Sequence, residues 1–286
     1  MEPALLKNSY QEKGFVVLSG IFAPHEISGL KKEIIAICQG QRGTFKGLDA
    51  PPPPPWSQEE LQQNLLCIHF PHKVSQVFLD FMKHPELGSI LSTLIGPNVK
   101  SMQSMLFIKS AGKPGQAWHQ DEFYIPTRDR SLLGAWIPLD QATVENGCLW
   151  VLPGSHQAGI IWPTRDHADS RFDASKEAYG FPWTEDDAVA VEVEPGDVVL
   201  FHGHLLHRSL NNRSRQGFRR ALVYHYMSAE SMLPWPHSND FLDGNQHVED
   251  HRDIVLVRGT DPYAFKGTRD IVRPFLRHAD RPHEVR

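Results

Sequence analysis

From about Lys100 to Met227 the chain alternates short β-branched and aromatic runs with Gly, Pro, Asn and Asp: SMLFIKS, AWHQDEFYI, LLGAWIPL, CLWVLPG, AVAVEVEPGD, VVLFHGHLLH and RRALVYHYM. Many short strands at this spacing predict a sandwich or barrel. Ahead of them GFVVLSGIF reads as a strand, and APHEISGLKKEIIAICQG as a helix. Its apolar residues Ile27, Leu30, Ile34, Ile37 and Cys38 recur at helical spacing between Pro24 in the first turn and Gly40 at the stop. A second helical pattern covers residues 74–95, broken near His84-Pro85. Val74, Val77, Phe78 and Phe81 form one apolar face, and Leu87, Ile90, Leu91 and Leu94 the next, before Gly96-Pro97 ends it.

The stretch QRGTFKGLDAPPPPPWSQEE excludes helix and central strand through its run of prolines, and a loop of this length is either a lid or disordered. Asn146-Gly147 and Pro195-Gly196-Asp197 read as tight strand connections, with Asp197 a turn residue. Beyond Met227 the pattern is irregular. One strand-like piece, DIVLVRG, stands out there, and the polar end RHADRPHEVR is expected to be mobile. The 286 residues show no internal repeat and fit one domain, 1–286. Its β core runs over about 100–230, with helices at 23–40 and 74–95 and a C-terminal extension, 231–286.

Composition narrows the function. A net charge of −5 gives no reason to expect nucleic acid or an anionic membrane as partner, which leaves a small-molecule substrate. Cys38, Cys67 and Cys148 are far apart and form no C-x-x-C pair, so zinc-ribbon and redox readings drop out and reduced thiols are expected. MEPALLKNSYQEKG lacks a basic flank followed by an apolar core, no apolar run approaches the roughly 18 residues of a membrane span, and HEVR is not a peroxisomal S-K-L. The expected compartment is the cytoplasm.

Candidate chemistry lies in AWHQDEFYIP. In an extended strand His119, Asp121 and Phe123 would share one face. An unpaired imidazole and carboxylate on a buried face are costly, so they are either hydrogen-bonded structural residues or hold a cation. VVLFHGHLLHRS, read as one later strand, offers three more imidazoles, His202 and His204 on one face and His207 on the other. Two histidines and one carboxylate fit one triangular face of an octahedral Fe(II) site and leave three positions open; Mn, Ni or Co would fit the same cage.

Four segments in order, GFVVLSGIF, SMLFIKSAGKPGQAWHQDEFYIP, GAWIPLDQATVENGCLWVLPGSH and PGDVVLFHGHLLHRSLNNRSRQGFRRALVYHYM, resemble the phytanoyl-CoA dioxygenase family of Fe(II)- and 2-oxoglutarate-dependent oxygenases over about Gly14 to Met227. The resemblance implies a mainly β fold, a double-stranded β-helix (jelly-roll, cupin-like) with flanking α-helices. It implies His119, Asp121 and His207 as iron ligands, with His202 and His204 as structural or orienting histidines. The GFR motif points to Arg219 for the far carboxylate of 2-oxoglutarate. Alternation puts Arg219 with Ala221 and Val223 and turns Arg220 away, though the long loop before them leaves the choice between the two arginines open. Ser209 is a candidate hydrogen-bond donor to the same carboxylate, and Met105 and Trp136 match positions that line the co-substrate pocket, or else pack the core. Cofactors implied are Fe(II), 2-oxoglutarate and O2, with succinate and CO2 released as a C–H bond of a small organic molecule is hydroxylated. Related halogenases have Ala or Gly at the carboxylate position, so Asp121 argues against halogenation. The alternative from another class is a cupin-like metal- or ligand-binding protein without oxygenase turnover, for which Arg219 would point outward.

Overall fold

Two antiparallel sheets face each other, and the chain crosses between them repeatedly. The computed structural model describes residues 2–48, 50, 55, 57–173, 175–233 and 250–279. In chain order the elements begin α1 (Pro3–Lys13), β1 (Phe15–Leu18), α2 (Pro24–Cys38), α3 (Gln58–Gln62), β2 (Leu65–His69), α4 (Gln76–Met82) and α5 (Pro85–Ile95). The barrel region follows with β3 (Val99–Ser110), β4 (Gln116–His119), α6 (Asp121–Tyr124), β5 (Leu133–Pro138) and β6 (Leu149–Val151). Next come β7 (Thr164–Arg165), β8 (Glu177–Ala178), β9 (Val189–Val191), β10 (Val198–His202), β11 (His207–Ser209) and β12 (Phe218–Ser228). The last strands among the described residues are β13 (Val255–Arg258) and β14 (Phe275–His278). The larger sheet has the order β1-β10-β5-β12-β3-β2-β14, with β13 beside β3, and the smaller has β4-β11-β6-β9. This is the expected jelly-roll with helices outside.

β12 explains why no simple alternation of apolar and polar residues marks the larger sheet. Arg219, Ala221, Val223 and His225 point between the sheets, and Leu222, Tyr224 and Tyr226 join the core under the helices. A strand buried on both faces has no solvent side to mark with polar residues. The outer core packs Leu30, Ile34 and Ile37 of α2, Phe78 of α4, and Leu87 and Leu91 of α5 against the sheet. Burying each such side chain contributes roughly 1.5–3 kcal/mol. Two buried hydroxyls fix α4 in place: Tyr224 Oη donates to the Phe78 carbonyl at 2.7 Å and Tyr226 Oη to the Met82 carbonyl at 2.9 Å. The second helical pattern does break where expected, since Pro85 starts α5 and His84 ahead of it is extended.

Several expectations are corrected. VVLFHGHLLHRS is not one strand: β10 ends at His202 in the larger sheet and β11 starts at His207 in the smaller. Gly203 makes the crossing, because a Cβ there would sit 2.7 Å from Glu122 Oε2 and 2.8 Å from Leu132 Cβ. AWHQDEFYIP is not one strand either; β4 stops at His119 and Asp121–Tyr124 forms one helical turn. Asn146-Gly147 and Pro195-Gly196-Asp197 are turns between strands as expected, but each links strands of different sheets, β5 to β6 and β9 to β10. Asp197 is a turn residue, accepting from the Gly20 and Glu194 amides. Helix α1, which buries Leu6 and Tyr10, was not anticipated. In the polar end, Phe275–His278 is a strand paired with β2, so Arg277 and His278 are ordered by the sheet; residues 280–286 lie outside the described residues, as do the prolines 51–54.

Gly134 of β5 leaves room for one ring. A Cβ there would meet the Phe201 ring at 2.4–2.8 Å, and that ring packs 4.6 Å from the His207 imidazole, centroid to centroid. Gly134→Ala is therefore expected to lower unfolding free energy by about 1–3 kcal/mol, the usual cost of overpacking, read from urea denaturation. A second expectation concerns pH. Burial, helped by Arg277, depresses His69 to about 3, and burial with Lys73 depresses His72 to about 4. The unfolded chain takes up protons near pH 6.5 that the folded protein refuses, so stability falls as pH drops from about 6.5 toward 4. Urea midpoints measured across that range should show a shallower slope in His72→Gln.

Candidate active site

His119, the last residue of β4, lies directly opposite His207, the first residue of β11, and their ring centroids are 4.1 Å apart. Asp121, one residue into the turn after Gln120, swings its carboxylate beneath both rings. Its Oδ1 lies 3.7 Å from His119 Nε2 and 3.6 Å from His207 Nε2. The three ligand atoms all fall within 4.8 Å of one another. His202 and His204 stand apart: His202 packs on Tyr10 and His156, and His204 Nδ1 lies 3.8 Å from Glu122.

The imidazoles face inward for a reason. His119 Nδ1 lies 2.7 Å from the Ala117 carbonyl and His207 Nδ1 3.0 Å from the Leu205 carbonyl. A carbonyl only accepts, so each Nδ1 carries the proton and each Nε2 turns a lone pair to the common centre. Burial, with His119 beside it, holds His207 down at about 4 and so neutral. Asp121 is held below the usual carboxylate range: burial opposes its ionisation, and the imidazoles of His207, His225 and His119 outweigh it. Two imidazoles that present Nε2 and one carboxylate suit a divalent first-row metal. His225 of β12 adds the outer support, its Nε2 2.9 Å from Asp121 Oδ2, which leaves Oδ1 for the centre.

A cavity of about 470 Å³ opens from this cluster between the sheets, within the range of small-molecule sites, roughly 300–1,000 Å³. Met105, Trp136, Ser209 and Arg219 all line it. Arg219 is 2% exposed and lies over the Trp136 ring at 5.5 Å, and its Nε and Nη1 have no hydrogen-bond partner among the described residues. Burial pulls its guanidinium down to about 10, so it stays charged at neutral pH. Next to it on β3, Lys109 donates to Ser209 Oγ at 3.0 Å and to the Leu210 carbonyl. Burial, then Arg219, depress its ammonium well below the ordinary range. Neither cation is ion-paired among the described residues, so this end of the cavity is built for an anion. Arg220 is otherwise engaged: it faces the helices, donating from Nε and Nη2 to Asp140 at 2.8 and 2.9 Å.

Lys109 and His225 were missed by sequence reading, although alternation from Met105 and from Arg219 marks both as inward-facing. His69 and Arg277 also line the cavity, and no local signal marked them.

The sequence model of the phytanoyl-CoA dioxygenase family matches residues 10–221. Among curated relatives, Phytanoyl-CoA dioxygenase 1 of Oryza sativa subsp. japonica is 35% identical over 173 residues, 60% of this chain and 59% of the relative. The peroxisomal phytanoyl-CoA dioxygenase of Homo sapiens is 29% identical over 230 residues, 77% of this chain and 67% of the relative. The chain thus spans about 59% of the length of the rice relative. Among solved structures, the apo non-heme monooxygenase ThoJ superposes with a TM-score of 0.67 at 21% identity, covering 90% of this chain and 84% of that one. The epimerase SnoN in complex with Fe3+, alpha ketoglutarate and nogalamycin RO gives 0.63 at 19% identity, covering 96% and 98%. At these identities the structural likeness establishes the fold.

If His225 orients Asp121, His225→Ala should weaken Co(II) binding about 10–100-fold, the usual effect of removing the partner of a metal-binding side chain. Anaerobic titration of cobalt absorption reads this, and an unchanged affinity would mean that Asp121 is oriented without it.

Proposed function

The chain belongs to the phytanoyl-CoA dioxygenase family, and on that premise we propose that it is an Fe(II)- and 2-oxoglutarate-dependent dioxygenase that hydroxylates a C–H bond of a small organic molecule. The single observation that carries the reading is the pairing, in one cavity, of the His119–Asp121–His207 cluster with a buried, unpaired Arg219. A binding protein without turnover has no need of that second feature. Arg219 lines the cavity rather than pointing outward, which counts against the alternative.

In this reading His119 Nε2, Asp121 Oδ1 and His207 Nε2 hold the metal. When bound, Fe(II) with 2-oxoglutarate and O2 supplies the oxidation, one oxygen atom going to succinate as CO2 leaves and the other to the substrate carbon. The protein's own residues bind and orient. Arg219 takes the far carboxylate of 2-oxoglutarate through its planar fork, with Trp136 fixing the plane of the guanidinium from one side. Lys109 donates to Ser209 Oγ, so the hydroxyl's own proton is free to donate to the same carboxylate. Met105 and Val223 give the same cavity an apolar wall.

Anaerobic Fe(II) plus 2-oxoglutarate should give the weak visible charge-transfer band of the chelate, and oxygen should then release succinate slowly without substrate. His119→Ala should abolish both. No band from correctly folded wild-type protein would favour the binder. Arg219→Gln is expected to raise the KM for 2-oxoglutarate about tenfold or more, since hydrogen bonds to charged groups contribute about 1.5–3 kcal/mol.

A further inference from the structure

We propose that Arg277, on the C-terminal strand β14, binds an oxyanion of the organic substrate, a carboxylate or phosphate group, so that the substrate class is anionic. This rests on the oxygenase reading for the word substrate, although the binding site itself does not.

β14 pairs with the edge of β2 in a register that sets Arg277 beside Cys67, and Phe107 of β3 lies on Cys67's other side. Arg277 therefore sits on the same row of the sheet as Ala221, which pairs with Phe107. Three strand spacings of about 4.8 Å separate the backbones at the ends of that row, roughly 14 Å, and the two long side chains reach toward each other, Arg277 and Arg219 both lining a small side pocket of about 20 Å³ as well as the main cavity. The guanidinium is held from behind. Its Nη2 donates to Asp173 Oδ2 at 2.5 Å, and Asp173 is itself fixed because its Oδ1 accepts from the Ser175 amide at 3.0 Å. A guanidinium carries five N–H donors, and only Nη2 donates to a described residue; the side chain, 26% exposed, lines the cavity. Beside it the His69 ring stacks on Phe275 at 4.1 Å, and its buried Nε2 has no partner among the described residues.

The charge balance of the cavity points the same way. Among the described residues Asp121 is the sole carboxylate on its wall, against Lys176, Arg208, Arg219 and Arg277. Arg208 is bound by both oxygens of Glu185, and Lys176 pairs with Asp166 in the open. The proposed metal takes Asp121 and the proposed co-substrate takes Arg219. What then faces an incoming molecule is a braced guanidinium with free donors, and bidentate recognition of an oxyanion is what that fork suits. Phe123 and Tyr124, half-exposed at the same cavity, supply apolar surface for the rest of the molecule.

The test uses the full chain loaded with Mn(II) and 2-oxoglutarate under anaerobic conditions. It is titrated calorimetrically with four matched probes: octanoate, octyl phosphate, octan-1-ol and octylamine. At least one anion should bind five-fold or more tighter than the alcohol and the amine, and that preference should fall below two-fold in Arg277→Gln. Because Arg277→Gln leaves Asp173 unpaired, the double variant Asp173→Asn/Arg277→Gln, which removes both charges, is measured beside it and should lose the preference equally. Failure of both anions to bind at millimolar concentration, equal affinity for all four probes, or a preference that survives the double variant would each overturn the proposal. Succinate release by the wild type tests the oxygenase reading separately. Its absence together with an Arg277-dependent anion preference would remove the oxygenase and leave the anion site standing.

Discussion

Asp121 is a carboxylate taken almost wholly out of water, and the surrounding architecture is what keeps it ionised there. Desolvation alone would favour the neutral acid. Against that stands the hydrogen bond from His225 Nε2 on β12, with His119 on β4 and His207 on β11 placed to share a cation with the same carboxylate. No single strand could supply them. The two sheets must approach closely enough for β12 on one to hydrogen-bond a residue leaving β4 on the other, and the two turns that break the strands, at Gly203 and after His119, allow it. A chain continuing straight past either point would carry His207 or Asp121 away from the centre.

The far end of the cavity repeats the problem with the opposite sign. Arg219 and Lys109 lie side by side with no described carboxylate as partner, an arrangement that lowers stability in the free protein. Burying two basic side chains together for packing alone is a poor solution, because two apolar side chains would pack as well without the desolvation penalty. The arrangement is intelligible if a carboxylate completes the set, and that is the electrostatic content of the proposed 2-oxoglutarate site. The neighbouring Arg220 serves as an internal contrast. One residue along the same strand and turned to the other face, it is matched by Asp140, which also takes Lys31. Within one dipeptide, one arginine contributes to the fold and the other waits for an anion.

Much of this was legible because β-strand alternation is strict. From Arg219 the same-face series runs through Ala221 and Val223, and following it two residues further reaches His225. The H-x-D pair was legible as chemistry but not as geometry. Expecting one extended strand gave the right neighbours for the wrong reason, since Asp121 reaches the centre by turning out of the strand. The crossing at Gly203 was hidden because an apolar run of this kind reads equally well as one buried strand or as two separated by a turn; only the tight packing around Gly203 distinguishes them. Arg277 was illegible for a different reason. A short polar segment at the end of a chain has no periodicity to read, and its place depends on β2 offering an unpaired edge.

That dependence separates two parts of the site by mechanical origin. Of the proposed metal and co-substrate positions, His207 and Arg219 lie on strands locked on both sides, β11 between β4 and β6 and β12 between β3 and β5, while His119 ends β4 at the edge of the smaller sheet and is tied to β11. Arg277 arises from an edge strand added to β2, outside the stretch the family model matches, with Lys73 tying residues 253, 270 and 272 of the same extension to the helical layer. Sequence change in an edge strand disturbs one neighbour, whereas change in β12 disturbs two sheets' worth of packing. A fold organised this way can alter which molecule it admits while leaving the proposed metal centre intact, because the residues that would choose the substrate are not those that hold Asp121 charged.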